Sequence, residues 1–226
     1  MKRMMLTAFA AVLALAVLSQ SGAEAVNTTH ADRFSEATMN GETATYALDK
    51  AHSFIGFKVK HMGLIYVPGY FRDFTGTINY DAQDVSKSTV EFTAKVTSID
   101  TGVAGRDNHL RSKDFFEVET HPDITFKSTK VAKTGDHWML TGDFTMKGVK
   151  KSITFPIKIT GWVPANERQG TRMGATAETT INRRDYGITY GNNLPTGVPA
   201  ISDEVKIEIQ LEALAPKAEA KAVQPN

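Results

Sequence analysis

The sequence predicts an all-β protein, mainly antiparallel, folded as a closed up-and-down barrel of about eight strands with one short helix inserted near residues 104–114. Apolar and polar residues alternate from Thr45 onward, as in strands with one buried face. This alternation stops at residues 101–116 (TGVAGRDNHLRSKDFF), where a charged helical pattern takes over. Small residues at inward positions of several strands favour a barrel with internal space, closed so that no strand edge is exposed. A solid β-sandwich is the alternative.

The first 25 residues have the pattern of a cleavable secretory leader. Lys2 and Arg3 are basic, residues 6–18 are apolar, and an A-x-A cleavage site ends at Ala25. The apolar run is too short to span a bilayer comfortably. We therefore expect export to the periplasm, with cleavage near Ala25.

Charge and cysteine content exclude several classes of partner and chemistry. Without the leader, the chain carries 24 basic and 24 acidic residues, a balance that argues against nucleic acid and against a strongly anionic membrane surface. The chain has no cysteine, which excludes disulfides, thiolate catalysis and thiolate-bound metal. The remaining length can bury the core of one domain.

The N-terminal half of the mature chain contains a polar segment followed by predicted strands. Residues 26–44 have no apolar periodicity, which predicts a flexible lead-in before a barrel domain at 45–213. Gly76 predicts a bulge or bend beside Phe74. Alternation predicts strands at 46–48, 53–60, 64–66, 70–80 and 90–97.

The half after the helical insertion repeats the strand pattern. Pro156 moves part of its strand toward an edge or a bulge, because proline cannot donate to the sheet. A long Gly-, Asn- and Pro-rich loop spans 186–202, and loops of this length often carry function. The tail at 214–226 is predicted to be disordered. The strands are predicted at 123–128, 138–146, 152–162, 171–182 and 205–212.

The helical insertion concentrates charge in a predicted β protein, so it either covers the barrel end or supplies polar contacts to whatever the barrel holds. Asp107 and Arg111 stand at i,i+4 and can pair on the helix surface. Arg106 can clamp Asp114 or Asp185, or it can meet a ligand. Both interpretations remain open.

Motifs for catalysis and metal binding are absent from the sequence. The six histidines show no zinc-site spacing, and neither a G-x-S-x-G motif nor a phosphate-binding loop is present. We predict no metal site and no enzymatic activity.

The chain resembles the YceI-like family in a colinear set of motifs covering about residues 45–213. No single motif is decisive, but the ordered set is specific. Two departures are Tyr186, where Phe is commoner, and Phe144, where Leu is commoner. The matching motifs include Asp49-x-x-His52-Ser53-x-Ile55-Gly56-Phe57, Lys60-His61-Met62-Gly63, Ser98-Ile99-Asp100-Thr101-Gly102, Arg106-Asp107-x-His109-Leu110, Asp114-Phe115-Phe116, Pro122-x-Ile124-x-Phe126-x-Ser128 and Asn182-Arg183-x-Asp185-Tyr186-Gly187.

This resemblance implies an extended lipocalin-like barrel with an internal apolar channel. The lipocalin G-x-W signature is absent, so the likeness to lipocalins concerns architecture. The family is associated with polyisoprenoid amphiphiles such as isoprenoid quinones or isoprenyl phosphates, and some members with other long-chain lipids. It implies no settled catalytic activity. A bound isoprenoid quinone or other polyisoprenoid lipid is therefore the only cofactor-like molecule expected, and none is required.

The expected function is that of a periplasmic binding or carrier protein for such a lipid, with no chemistry of its own. The head group is assigned to Arg106, Asp107, His109, Asp114 and Arg183. The apolar chain of the lipid is assigned to the residues Ile55, Phe57, Val59, Phe92, Val96, Phe126, Phe144, Phe155, Ile157 and Ile207.

Each of these assignments has a structural alternative. The apolar residues can equally fill an ordinary core, and Arg183 with Arg184 and Asp185 can form a solvated corner. The alternative functions are a quinone-linked electron-transfer component and a stress-related protein with a packed interior and no lipid. An exposed edge at Pro156 leaves a homodimer open.

Overall fold

The computed structural model describes residues 41–135 and 137–217. The predicted leader (1–25), most of the predicted lead-in (26–44) and most of the predicted tail (214–226) lie outside these ranges, so those predictions stay predictions.

The described residues form eleven strands and one α-helix, α1 (Ala104–Arg111), with three short 3-10 turns. The strands are β1 (Ala44–Leu48), β2 (Phe54–His61), β3 (Ile65–Phe71), β4 (Phe74–Tyr80), β5 (Thr89–Lys95), β6 (Ile99–Asp100), β7 (Asp123–Thr134), β8 (His137–Met146), β9 (Val149–Val163), β10 (Arg172–Asn182) and β11 (Ile201–Leu214).

The strands close into one antiparallel barrel. β11 pairs with β10 on one side and, on the other, with β2 and then with β1, where Leu48 lies opposite Ala213. β1 and β2 follow each other along one position of the barrel, as do β3 and β4, and β5 and β6. The eleven strands therefore occupy eight positions, and the predicted eight-stranded all-β barrel is confirmed.

Two of the interruptions face each other across the sheet. The β3–β4 corner at Arg72 and Asp73 lies beside the turn at Val96–Ser98 that separates β5 from β6. The Arg72 N–H donates to the Ser98 carbonyl at 3.2 Å, and the Lys95 N–H donates to the Asp73 carbonyl at 2.8 Å. These bonds satisfy backbone groups that a bend would otherwise leave unpaired.

The barrel has two different ends. We call mouth end the one that carries α1, the β2–β3 turn and the loop between β10 and β11, and closed end the one where β1 begins and β9 ends. At the closed end Trp162 packs against Tyr46 and Tyr80, with ring centroids 5.4 and 4.7 Å apart. Burial there raises the pKa of Tyr46 to about 12.

Ordered packing at the closed end continues past residue 213. Ala215 is 1% exposed and its N–H donates to the Thr171 carbonyl at 2.9 Å. The disorder predicted from residue 214 on therefore does not hold for its first residues, since Leu214 belongs to β11 and Ala215 belongs to the core.

The edge predicted at Pro156 is present within β9. β9 pairs with β8 from Val149 to Ile157, through Pro156 itself, whereas it pairs with β10 only from Ile157 to Val163. Because proline has no N–H, it can occupy a strand only where one side needs no donor.

Candidate functional site

The barrel encloses one large cavity of about 470 Å3, lined mainly by apolar side chains. Nine of the ten residues assigned to a ligand chain line it: Ile55, Phe57, Val59, Phe92, Phe126, Phe144, Phe155, Ile157 and Ile207.

Val96 is the exception and corrects the prediction. Strand β5 ends at Lys95, and Val96 begins the 3-10 turn to Ser98. The period-two rule therefore no longer fixes its direction. Val96 is 1% exposed and packs in the core without lining the cavity.

Several further lining residues were missing from the prediction. Leu140 shares the inward face of β8 with Phe144, and Phe71 shares that of β3 with Val67, so strand alternation could have identified both. Ile188 and Tyr190 lie in the loop after β10, where no periodicity marks inward positions.

The cavity opens at the mouth end. The lining residues that are exposed to solvent are His61, Pro68, Arg106 and Tyr190, on β2, β3, α1 and the loop after β10. At the other end the lining is sealed by buried residues such as Tyr80. A ligand reaching the interior from solvent therefore meets the α1 side first.

Arg106 is the best-placed cation at this opening. Its Nε donates to Thr101 Oγ1 at 2.7 Å and its Nη2 donates to the Thr101 carbonyl at 2.8 Å. A guanidinium has five N–H donors, so three remain uncommitted among the described residues. The clamp to Asp114 or Asp185, one of the two roles considered for Arg106, is not among the contacts of this side chain in the described residues.

Asp107 acts behind Arg106 and does not line the cavity. Its Oδ1 accepts from the Thr101 hydroxyl at 2.5 Å and from the Thr101 N–H at 2.9 Å, and the residue is 7% exposed. It therefore fixes the residue that orients Arg106. The pair that the i,i+4 spacing allows between Asp107 and Arg111 is absent from these contacts, because Arg111 donates instead to the carbonyls of Thr97 and Ile99.

His109 lines the cavity beside two aromatic rings. Its Nε2 lies 2.9 Å from Asp114 Oδ2, and Nδ1 has no hydrogen-bond partner in the part of the chain that the structure describes. The imidazole meets Phe115 and Tyr190 edge-on, at 5.1 and 4.8 Å between ring centroids. Asp114 itself is outside the lining, so of this pair only His109 faces the interior.

Arg183 lines the cavity but is fully engaged by the protein. Its guanidinium donates to the carbonyls of Ser202, Ile188, Tyr190 and Ile201 and to Asp203, using all five donors. It is 3% exposed, and burial lowers its pKa. The solvated corner considered from the sequence is therefore wrong for Arg183.

One further cluster, formed by Asp49, His52 and Glu212, has ligand atoms within 4.8 Å of one another in the described part of the chain. The guanidinium of Arg172 contacts both carboxylates, with Nη1 3.0 Å from Asp49 Oδ2. The hydrogen bonds from His52 and Arg172 hold the pKa of Asp49 below its usual range. The guanidinium of Arg172 already supplies the positive charge of this cluster. The cluster therefore links neighbouring strands and leaves no vacant position for a metal ion.

No helix in the described ranges is both long and apolar enough to cross a bilayer.

Comparison with known proteins agrees with this architecture. Protein YceI of Escherichia coli O157:H7 is 37% identical over 176 residues, covering 77% of this chain and 88% of that protein. The crystal structure of a Campylobacter jejuni YceI protein is 31% identical, with a TM-score of 0.59, covering 76% of this chain and 97% of that one. A polyisoprenoid binding domain from Saccharophagus degradans has a TM-score of 0.58 at 18% identity, covering 76% of this chain and 99% of that one, and shows likeness of fold alone.

The sequence profile of the YceI-like domain matches residues 46–213, from β1 to the end of β11. This match contains the whole cavity and α1. Because the profile spans most of the chain and the Escherichia coli relative is 37% identical over the same region, the chain belongs to the YceI-like domain family.

Proposed function

We propose that the protein binds and carries a polyisoprenoid-type amphiphile in the periplasm, such as an isoprenoid quinone or an isoprenyl phosphate, without chemistry of its own. The observation that carries the proposal is the polarity of the cavity. The inner part of the cavity is lined mainly by apolar side chains, and every Lys, Arg and His that lines the cavity lies at the mouth end. An amphiphile with its chain inside and its head group at the opening matches this gradient.

The size of the cavity supports the chain assignment. About 470 Å3 falls within the roughly 300–1,000 Å3 that is typical of small-molecule sites. A chain that buries on the order of 600 Å2 of apolar surface gains ~15 kcal/mol before the costs of ordering and association. An enclosed apolar cavity of this size counts against the alternative of a packed interior.

The mouth supports a head group that accepts hydrogen bonds or carries negative charge. No Asp or Glu of the described residues lines the cavity, whereas Lys60, Arg106 and His109 do. Within residues 41–135 and 137–217 Arg106 retains free donors, and charge-assisted hydrogen bonds from a guanidinium to a phosphate or carbonyl oxygen are among the strongest available. Arg183 is left out of this head-group site because its donors are already used.

The relatives support the proposal at a coarser level. The Saccharophagus degradans domain is described as polyisoprenoid binding, which is consistent with the ligand class for a barrel of this shape. Since that likeness is one of fold, the ligand class rests here on the cavity.

Native mass spectrometry of the protein purified from its own cells, followed by solvent extraction and lipid identification, tests the proposal. We expect a stoichiometric isoprenoid, with the extracted head group separating quinone from phosphate. A different lipid would keep the cavity and discard the ligand class. An empty protein that also ignores added quinones and isoprenyl phosphates would overturn the proposal.

The electron-transfer alternative has its own readout in the same preparation. Redox-active extracted material, together with an electron-transfer activity that disappears on extraction, would replace the carrier function with a redox function.

A further inference from the structure

An exposed apolar turn projects from the mouth end of the barrel. We call it the tip: residues 62–66, which comprise the turn after β2 and the first two residues of β3. Leu64 is 76% exposed and Ile65 is 64% exposed, with Met62 and Tyr66 at 39% and 43%. Neither Leu64 nor Ile65 lines the cavity, so the ligand site does not account for them.

The tip is held in place by the elements around it. The Met62 N–H donates to the Ala200 carbonyl at 3.0 Å, and the Leu64 N–H donates to the His61 carbonyl at 2.9 Å. A Cβ added at Gly63 would lie 3.1 Å from Val198, so the tip also contacts the loop after β10. His61, which adjoins the tip, lines the cavity opening. The exposed apolar side chains therefore stand at the rim of the opening.

The charge next to the tip is mainly positive. The Nζ atoms of Lys60 and Lys206 lie 5.2 and 4.6 Å from the ring centroid of Tyr66. No acidic residue occurs in residues 54–71 or 187–201, which pack beside the tip; of the two acids that follow, Asp203 is paired with Arg183 and Arg184, and Glu204 is exposed. The near-neutral balance of the whole chain conceals this local excess of positive charge.

We propose that the tip docks on an anionic lipid bilayer, with Leu64 and Ile65 entering the interfacial layer. Apolar side chains flanked by tyrosine and lysine are the arrangement of segments that lie at membrane interfaces, and lysines near the surface are attracted by anionic lipids. Docking in this way would set the cavity opening against the membrane.

A second copy of the chain fits the tip less well. A stable protein interface uses roughly 20 residues a side, whereas the tip is one narrow turn. The lysines at Tyr66 would also meet each other across a symmetric contact. Binding of the tip to a membrane does not depend on the proposed function. The further idea that a lipid passes between the cavity and the membrane does rest on it.

Co-sedimentation with vesicles tests the inference, using the ligand-free protein and two compositions: phosphatidylcholine alone, and phosphatidylcholine with an equal part of phosphatidylglycerol. We expect binding to the anionic vesicles and at least a tenfold loss for the L64S/I65S double variant. K206Q should reduce the difference between the two compositions. V163S, which removes a 52% exposed side chain at the closed end, should bind as the unchanged protein does.

Three results would overturn the inference. They are an unchanged protein that stays in the supernatant with both vesicles, an L64S/I65S variant that binds equally well, and tip-dependent dimers without vesicle binding. Binding of a short-chain soluble isoprenoid, measured without vesicles, separates this inference from the proposed function. The L64S/I65S variant should still bind the soluble isoprenoid. If neither the unchanged protein nor any variant binds the isoprenoid but the unchanged protein still binds vesicles, the proposed ligand is wrong and the docking surface stands.

Discussion

Arg106 and Arg183 both line the cavity at its opening, yet they have different roles because their donors are committed differently. Arg106 donates two of its five N–H groups to Thr101, and the other three have no partner among the described residues. Arg183 donates all five to carbonyls and to Asp203. The sequence places both next to turns and cannot distinguish them. The distinction depends on which carbonyls the loop after β10 turns inward.

Removing Arg106 should impair binding without impairing folding. With Arg106→Ala we expect the affinity for an isoprenyl phosphate to fall about tenfold or more, the value of a hydrogen bond to a charged group. The melting temperature should stay within a few degrees. Lys113→Ala, an exposed cation just beyond the same helix, is the matched control for net charge. A large fall in melting temperature for Arg106→Ala alone would assign Arg106 to the fold.

Removing Arg183 should impair folding. Arg183→Met leaves four buried or half-buried carbonyls without this donor, and we expect the free energy of unfolding in urea to fall by about 3 kcal/mol or more. Arg184→Met removes a neighbour that contacts the same Asp203 carboxylate at 2.6 Å but is exposed. Its cost should stay below about 1 kcal/mol. Equal costs for the two variants would contradict the role assigned to Arg183.

At the scale of elements, alternation located most of the barrel and failed where the backbone bends. The predicted insertion near 104–114 contains α1, and the predicted strands coincide with β2, β8 and β10 within a few residues. The alternation of apolar and polar residues continues through Val96. The sequence pattern therefore does not mark the turn that separates β5 from β6. That turn depends on hydrogen bonds with the distant β3–β4 corner: the Arg72 N–H donates to the Ser98 carbonyl, and the Lys95 N–H and the Ser98 hydroxyl donate to the Asp73 carbonyl.

Glycines at inward strand positions were part of the reason for predicting a barrel with internal space. The barrel is confirmed, but the room beside these glycines is filled by side chains. A Cβ at Gly142 would lie 2.5 Å from the Phe126 ring, and one at Gly56 would lie 2.5 Å from the Phe54 ring. These two glycines make room for aromatic rings. The open space is instead bordered by alanines such as Ala94 and Ala177, whose small volume the sequence did show.

The junction of β1, β10 and β11 depends on the charge of Asp49. The pKa of Asp49 is lowered mainly by the hydrogen bond from His52 and also by Arg172. A carboxyl group whose pKa is lower in the folded state stabilises the fold above its unfolded pKa of about 4, and this contribution is lost as pH falls through the folded value.

Asp49→Asn should therefore destabilise the protein in a pH-dependent way. We expect a loss of about 1–2 kcal/mol in the free energy of unfolding at neutral pH. The difference from the unchanged protein should shrink as pH is lowered below about 4. Urea titrations at several pH values measure it, with the exposed Glu204→Gln as the control. A difference that is independent of pH would show that the Asp49 charge is not what holds the junction.

Over the whole molecule, the core is divided between two tasks. The closed-end cluster around Trp162 seals the barrel, and its members Ile78, Tyr80 and Met173 close that end of the cavity, whereas the larger cluster forms the side wall. Charge, solvent access and the apolar tip are gathered at the opposite end. Sequence alternation cannot show this division, because a wall residue and a filling residue have the same period and the same hydrophobicity.

A leucine substituted for an alanine distinguishes the two halves of the core. Ala177 borders the cavity, whereas Ala213 is 0% exposed in the closed-end cluster. Ala213→Leu should overpack that cluster and lower the free energy of unfolding by about 1–3 kcal/mol. Ala177→Leu should change it by less than about 1 kcal/mol, because the new methyl groups enter open space. It should also weaken isoprenoid binding at least tenfold, because they take volume from the ligand. Urea unfolding and ligand titration of both variants measure these effects. If Ala177→Leu were as destabilising as Ala213→Leu and left binding unchanged, the interior would behave as a packed core.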